Sequence, residues 1–125
     1  MSDKKTVVLD FDGVIHSYKS GWQGSAVIPD EPVPGIRRAI EEIRYCGYDV
    51  CVVSTRCATA WGMEAVANWL SKYNIIIDKL CAEKPPAVCY VDDRAICFDG
   101  HPETLLQKII WFKPWWERNE ELQGM

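Results

Sequence analysis

The sequence predicts an α/β fold, a parallel sheet with helices on both faces, and three observations carry this. Three short apolar, β-branched runs at residues 6–9, 49–53 and 87–91 each stop at polar residues. Segments with apolar residues at helical spacing follow the first two runs, and alternation of this kind builds buried parallel sheets. The 125 residues are the length of one ordinary domain, spanning 1–125, and 48% hydrophobic with 26% charged residues excludes a disordered or fibrous chain.

Thr6-Val7-Val8-Leu9 is the first strand and ends at Asp10. Residues 15–34 are rich in Ser, Gly, Pro, Tyr and Trp and read as a long loop or small hairpin. A loop of that length inside a compact domain tends to be functional. Ile36, Ala39, Ile40 and Ile43 then recur at helical spacing, with Pro34 to open the helix and Gly47 to close it. Asp49-Val50-Cys51-Val52-Val53 is the second strand, ending at Ser54-Thr55-Arg56. The next helix places Trp61, Ala65, Val66, Trp69, Leu70 and Tyr73 on one face. Residues 75–81 stay ambiguous, because Asp78 and Lys79 interrupt a run of isoleucines. Glu83-Lys84-Pro85-Pro86 is a loop, since paired prolines extend neither a helix nor a central strand. Ala87-Val88-Cys89-Tyr90-Val91 is the third clear strand and ends at Asp92-Asp93-Arg94. A short strand over Ala95-Ile96-Cys97-Phe98 is expected next. The final helix starts near Pro102, with Leu105, Leu106, Ile109 and Ile110 as its apolar stripe. There is no internal repeat and no interdomain linker.

A net charge of −4 gives no support to a broad basic surface for nucleic acid, although a nucleic acid as substrate stays open. No apolar run approaches the ~18–20 residues that span a bilayer. Met1-Ser2-Asp3-Lys4-Lys5 leads straight into the first strand without a signal peptide's apolar core, so a soluble, cytoplasmic protein is expected. The six cysteines form no Cys-x-x-Cys pair and have no histidine spaced to complete a zinc site. They read as reduced thiols, with Cys51, Cys89 and Cys97 acting as small hydrophobes and Cys57 as a buried thiol bordering Ser54. His16 reads as a surface loop histidine, with contact to substrate the other reading, and His101 stands at a helix start.

In open α/β sheets ligands bind beyond the carboxyl ends of the strands, so Asp10, Ser54 and Asp92 should converge from three stretches of chain. Asp10-Phe11-Asp12-Gly13-Val14 carries two carboxylates that repel unless a cation stands beside them, and Gly13 allows a sharp turn. Asp92-Asp93 adds two more at a neighbouring strand end. All-oxygen ligands suit magnesium better than zinc or copper. Taken singly, each of these groups also fits a plain structural role: turn residues for the aspartates, a helix cap for Ser54, a solvated surface group for Lys84.

Together the motifs resemble the haloacid dehalogenase (HAD) superfamily of phosphohydrolases. Asp10-Phe11-Asp12-Gly13-Val14 looks like its first motif, Ser54 its second, Lys84 its third and Val91-Asp92-Asp93-Arg94 its fourth, in the family's order. The layout, closing aromatic segment included, is similar to small bacterial and phage members. The resemblance implies a Rossmann-like domain and a magnesium-dependent phosphomonoester hydrolase. Asp10 would be the nucleophile that forms an aspartyl-phosphate, and Asp12 the general acid and then the general base. Magnesium would be held by the Asp10 side chain, the Asp12 backbone carbonyl and a motif-four carboxylate, Asp93 as the direct ligand with Asp92 its near neighbour. Ser54 and Lys84 would grip the phosphoryl oxygens, with a backbone N–H from Thr55. Arg56 would pair with the phosphate or with substrate, and Arg94 with the substrate or the aspartates.

Neither residues 15–34 nor residues 55–83 are long enough for an inserted cap domain, so the chain resembles the uncapped branch. Trp111-Phe112-Lys113-Pro114-Trp115-Trp116 either packs on its own domain or joins a second copy in a homo-oligomer. Two other functions compete with hydrolysis of a phosphorylated substrate. One is an inactive HAD-fold binding protein; the other is a phosphoacceptor receiver-like domain. The Asp-x-Asp spacing argues against the latter, because it sets a second carboxylate within reach of the leaving group.

Overall fold

β1 (Thr6–Asp10) and β2 (Asp49–Val53) pair in parallel along their whole length in this computed structural model, which describes residues 5–117. β3 (Lys79–Cys81) extends the sheet beyond β2, and β4 (Cys89–Val91) lies on the other side of β1. The strand order is β3-β2-β1-β4, all parallel, so the α/β fold expected from the strand runs is present. The chain forms two compact units, one ending at Val91 and the other beginning at Asp92. Residues 1–4, where the sequence was read for a signal peptide, lie outside the described residues. Among the described residues no helix is long and apolar enough to cross a membrane.

In the first unit, α1 (Ile36–Tyr45) connects β1 to β2 and α2 (Ala60–Lys72) connects β2 to β3. Both crossovers step in the same direction across the sheet, and right-handed connections then deliver both helices to the same face. Alternation along each strand sends Val7, Leu9, Val50 and Val52 to that face, where Ile40 from α1 and Val66, Trp69 and Leu70 from α2 complete one core. The opposite face carries Val8, Cys51 and Val53, packed with Cys81 and Ala87. There the Cys51 and Cys81 sulfurs stand 3.1 Å apart as free thiols, and burial followed by the Cys81 hydrogen bond pushes the Cys51 thiol up to about 12.

The ambiguous segment resolves through Asp78. Its carboxylate accepts two hydrogen bonds from Arg44 at the end of α1, at 3.0 and 3.1 Å, and one from the Val50 amide at 2.7 Å. Pinned in this way, the chain continues as β3. The buried face of α2 is set by Gly62, Val66, Trp69 and Leu70, whereas Trp61, expected on it, is exposed. A Cβ at residue 62 would come within 1.9 Å of the Arg56 carbonyl oxygen, so only glycine lets the first turn of α2 approach that closely.

Other expectations need correction. β4 spans three residues at the sheet edge and all of them are exposed; Cys89 is therefore a surface thiol. Ala95-Ile96-Cys97-Phe98, in the second unit, forms no strand, and Cys97 is exposed. A 3-10 helix at Pro102–Thr104 precedes α3 (Leu105–Ile110), and Leu106, Ile109 and Ile110 of the expected apolar stripe are exposed. Within this unit the Trp116 indole N–H donates to Asp93 at 2.9 Å and the Arg94 guanidinium lies 5.6 Å from its ring, while Trp111 is exposed.

Candidate active site

β1 and β2 end side by side, with Asp10 opposite Val53 and the Phe11 amide bonded to the Val53 carbonyl at 3.1 Å. One residue further on, both chains leave the sheet, so Asp10 and Ser54 emerge at the same edge from neighbouring strands. After Asp10 the backbone folds into a tight turn: the Phe11 carbonyl accepts the amides of Ile15 and His16, both at 2.9 Å. Gly13 makes that turn possible at φ 87°, in the left-handed region.

Asp12 lies inside this turn and is held from two sides. Arg56 donates from Nε to Oδ2 at 2.9 Å and from Nη2 to Oδ1 at 3.2 Å, a two-point ion pair. His16 stands 2.8 Å from Oδ1 through Nδ1. The Asp30 amide donates to His16 Nε2 at 3.2 Å, so Nε2 is the acceptor and the ring proton belongs on Nδ1, facing Asp12. Burial alone would raise the Asp12 pKa; the hydrogen bonds from His16 and Arg56, with the charge of Arg56, outweigh it and hold the carboxyl below its ordinary range.

His16, expected on the loop surface or against substrate, and Arg56, expected to pair with phosphate or substrate, are instead both wholly buried. His16 stacks on Phe11, with ring centroids 5.6 Å apart, and meets the edge of Trp69. Arg56 also donates from Nη1 to the carbonyls of Gly24, Ser25 and Val27, at 2.8–3.0 Å. The long loop is therefore an anchored structure. Asp30 fastens its far end, accepting the Ser20 hydroxyl at 2.6 Å and amide at 2.7 Å, while its own carbonyl accepts the Trp69 indole at 3.0 Å. The loop length was the visible signal; the partners are 44 residues apart between Asp12 and Arg56, which no local pattern reveals.

Ser54 is buried and caps the 3-10 helix Thr55–Ala58, its Oγ accepting the Arg56 amide at 3.1 Å. That capping bond uses an acceptor site and leaves the hydroxyl proton to donate. Thr55 is exposed beside it. Cys57 is buried as expected, and burial, then the neighbouring Cys81, raises its thiol pKa. Lys84 is exposed in the loop between β3 and β4, its Nζ 5.8 Å from the Tyr90 ring. Asp92 and Asp93 directly follow β4, whose last residue Val91 pairs with Leu9 of β1. The Asp92 carboxylate accepts the Arg94 amide at 2.9 Å.

Neither a protein-family model nor a curated protein matches the chain. Among solved structures it is similar to a chain of a Pnkp1/Rnl/Hen1 complex, with a TM-score of 0.53 and 18% identity. A second, from a Pnkp1/Rnl/Hen1 RNA repair complex, gives a TM-score of 0.49, also at 18% identity. The match covers 89% of this chain and 35% of the first structure's chain, 89% and 32% for the second, so this chain spans about a third of either. At that identity the first likeness speaks for the fold.

Proposed function

We propose that the chain is a magnesium-dependent phosphomonoester hydrolase of the HAD type, working through an aspartyl-phosphate on Asp10. The observation that carries the reading is the emergence of Asp10 and Ser54 from adjacent parallel strands at one sheet edge, with Asp12 fixed as a carboxylate two residues on. Asp10 attacks phosphorus, forming a carboxyl–phosphate bond as the ester P–O bond breaks. Ser54 and Lys84 donate to the phosphoryl oxygens, with the Thr55 amide beside them.

Asp12 then works as base, taking a proton from the water that cleaves the acyl phosphate and regenerates Asp10. Its role as acid requires a proton first. Arg56 and His16 disfavour that proton, whereas a phosphoryl dianion arriving nearby favours it, so it is taken up with substrate and passed to the leaving alkoxide.

Asp10, Asp92 and Asp93 each offer hard carboxylate oxygens, the donor chemistry that suits magnesium. Arg56 and His16 both bond the Asp12 carboxylate, and its main-chain carbonyl rather than its side chain would serve the metal. On this proposal Asp10, that carbonyl and Asp93, with Asp92 as its neighbour in sequence, would hold magnesium, and the ion would supply positive charge that offsets the repulsion between carboxylate and phosphate. The reading also puts the protein in the cytoplasm, where its free thiols persist.

The test is phosphate release from 4-nitrophenyl phosphate with magnesium and with excess chelator. Steady release that the chelator abolishes is the expected result. A single stable phosphorylation supports the receiver-like alternative, and no reaction supports an inactive binding protein.

A further inference from the structure

Arg56 has no exposed surface, and its in-plane donors go to Asp12 and to the carbonyls of Gly24, Ser25 and Val27. What remains is the face of the guanidinium, and Trp22 covers it, with Cζ 4.6 Å from the ring centroid. One buried group thus fixes the positions of both Asp12 and an aromatic side chain. The cation–π contact occupies one side of the indole. Trp22 is nonetheless 54% exposed, so a flat apolar surface stands open beside the Arg56–Asp12 pair.

We propose that Trp22 is the specificity-determining residue of this site and stacks on the base of a nucleoside phosphate, an inference that rests on the phosphatase reading above. Indole stacks on every base because each has a π-face, so the platform selects nucleosides as a class. The spacing favours a nucleobase over other aromatic groups. In an aryl phosphate the ring is bonded directly to the leaving oxygen, next to Asp12, and Arg56 stands between that point and Trp22. A nucleoside interposes a ribose between its phosphate oxygen and its base, which carries the base across Arg56 to the indole.

The experiment compares kcat/KM for nucleoside monophosphates and for ribose 5-phosphate, with magnesium, in wild type, Trp22→Ala and Trp22→Phe. Wild type should favour the nucleotide by about tenfold or more, the usual worth of one base–aromatic stack. Trp22→Ala should bring the ratio close to one, and Trp22→Phe should retain most of the preference. An oligonucleotide with a terminal phosphate forms a further arm. If it outcompetes the mononucleotide with the same Trp22 dependence, the base belongs to a chain end; if not, to a free nucleotide. A wild-type ratio near one, or an undiminished ratio in folded Trp22→Ala, overturns the proposal while leaving the phosphatase reading standing. No turnover of any substrate by wild type overturns both.

Discussion

The buried guanidinium of Arg56 grips both carboxylate oxygens of Asp12, at 2.9 and 3.2 Å, across 44 residues of sequence. The residue proposed as acid and base is therefore also the counter-charge that lets an arginine sit inside the first unit. Removing one member of a buried pair leaves the other charge uncompensated, which costs about 3–5 kcal/mol. Arg56→Ala should lower unfolding stability by that amount in urea titrations. Arg56→Lys should rescue little, since an ammonium cannot make the two-point contact or reach the same loop carbonyls. A loss below about 1 kcal/mol would show that the pair is not what holds the loop.

Asp12 should leave a signature in the acid limb of stability. Burial acts to raise its pKa, but the bonds from His16 and Arg56 prevail and hold it below the ordinary 3.8. A carboxyl with a lower pKa folded than unfolded contributes its stability in full above the unfolded value and loses it as pH falls through the folded one. The gap in urea midpoint between wild type and Asp12→Asn should thus be constant from about pH 7 to pH 5 and shrink below 3.8. A gap that widens on acidification would contradict the ion pair.

Asp10→Asn should abolish turnover and keep the fold. The amide matches the carboxylate in shape but is no nucleophile, so kcat should fall about a thousandfold or more, with the urea midpoint close to wild type. Substantial residual turnover would place the nucleophile elsewhere.

Thiol reactivity should divide the cysteines by position. Cys46, Cys89 and Cys97 are exposed, while Cys51 and Cys57 are buried. With the Cys51 thiol at about 12, about one in ten thousand is ionised at pH 8. Iodoacetamide on native protein should label the three exposed thiols and spare the two buried ones, as read by peptide mass. Labelling of Cys51 as fast as Cys46 would contradict the packing of the sheet face that carries it.

The legible parts of the fold were those written locally. β1, β2 and α1 follow from β-branched runs and from the spacing of Ile36, Ala39, Ile40 and Ile43. The exposure of β4 was not legible, since Cys89-Tyr90-Val91 has the composition of a buried strand and only the strand order makes it an edge. Trp61 misled because its spacing from Ala65 and Trp69 suggested the inner face, whereas the close approach of α2 to the Arg56 carbonyl demands Gly62 there. In the candidate site, the positions of Asp10 and Ser54 at strand ends were readable. The interior roles of His16 and Arg56 were not, because a polar residue just beyond a strand gives no sign of a partner that tertiary structure supplies.

In the proposed mechanism Asp10 carries the phosphoryl group between two steps. Wild type mixed with 4-nitrophenyl phosphate and magnesium, quenched in acid during turnover, tests this directly by peptide mass spectrometry. The expected result is a hydroxylamine-sensitive phosphoryl group on the peptide containing Asp10, assigned to Asp10 by fragmentation and absent from Asp10→Asn. Turnover with the phosphoryl group on a different residue, or sustained turnover by Asp10→Asn, would contradict it.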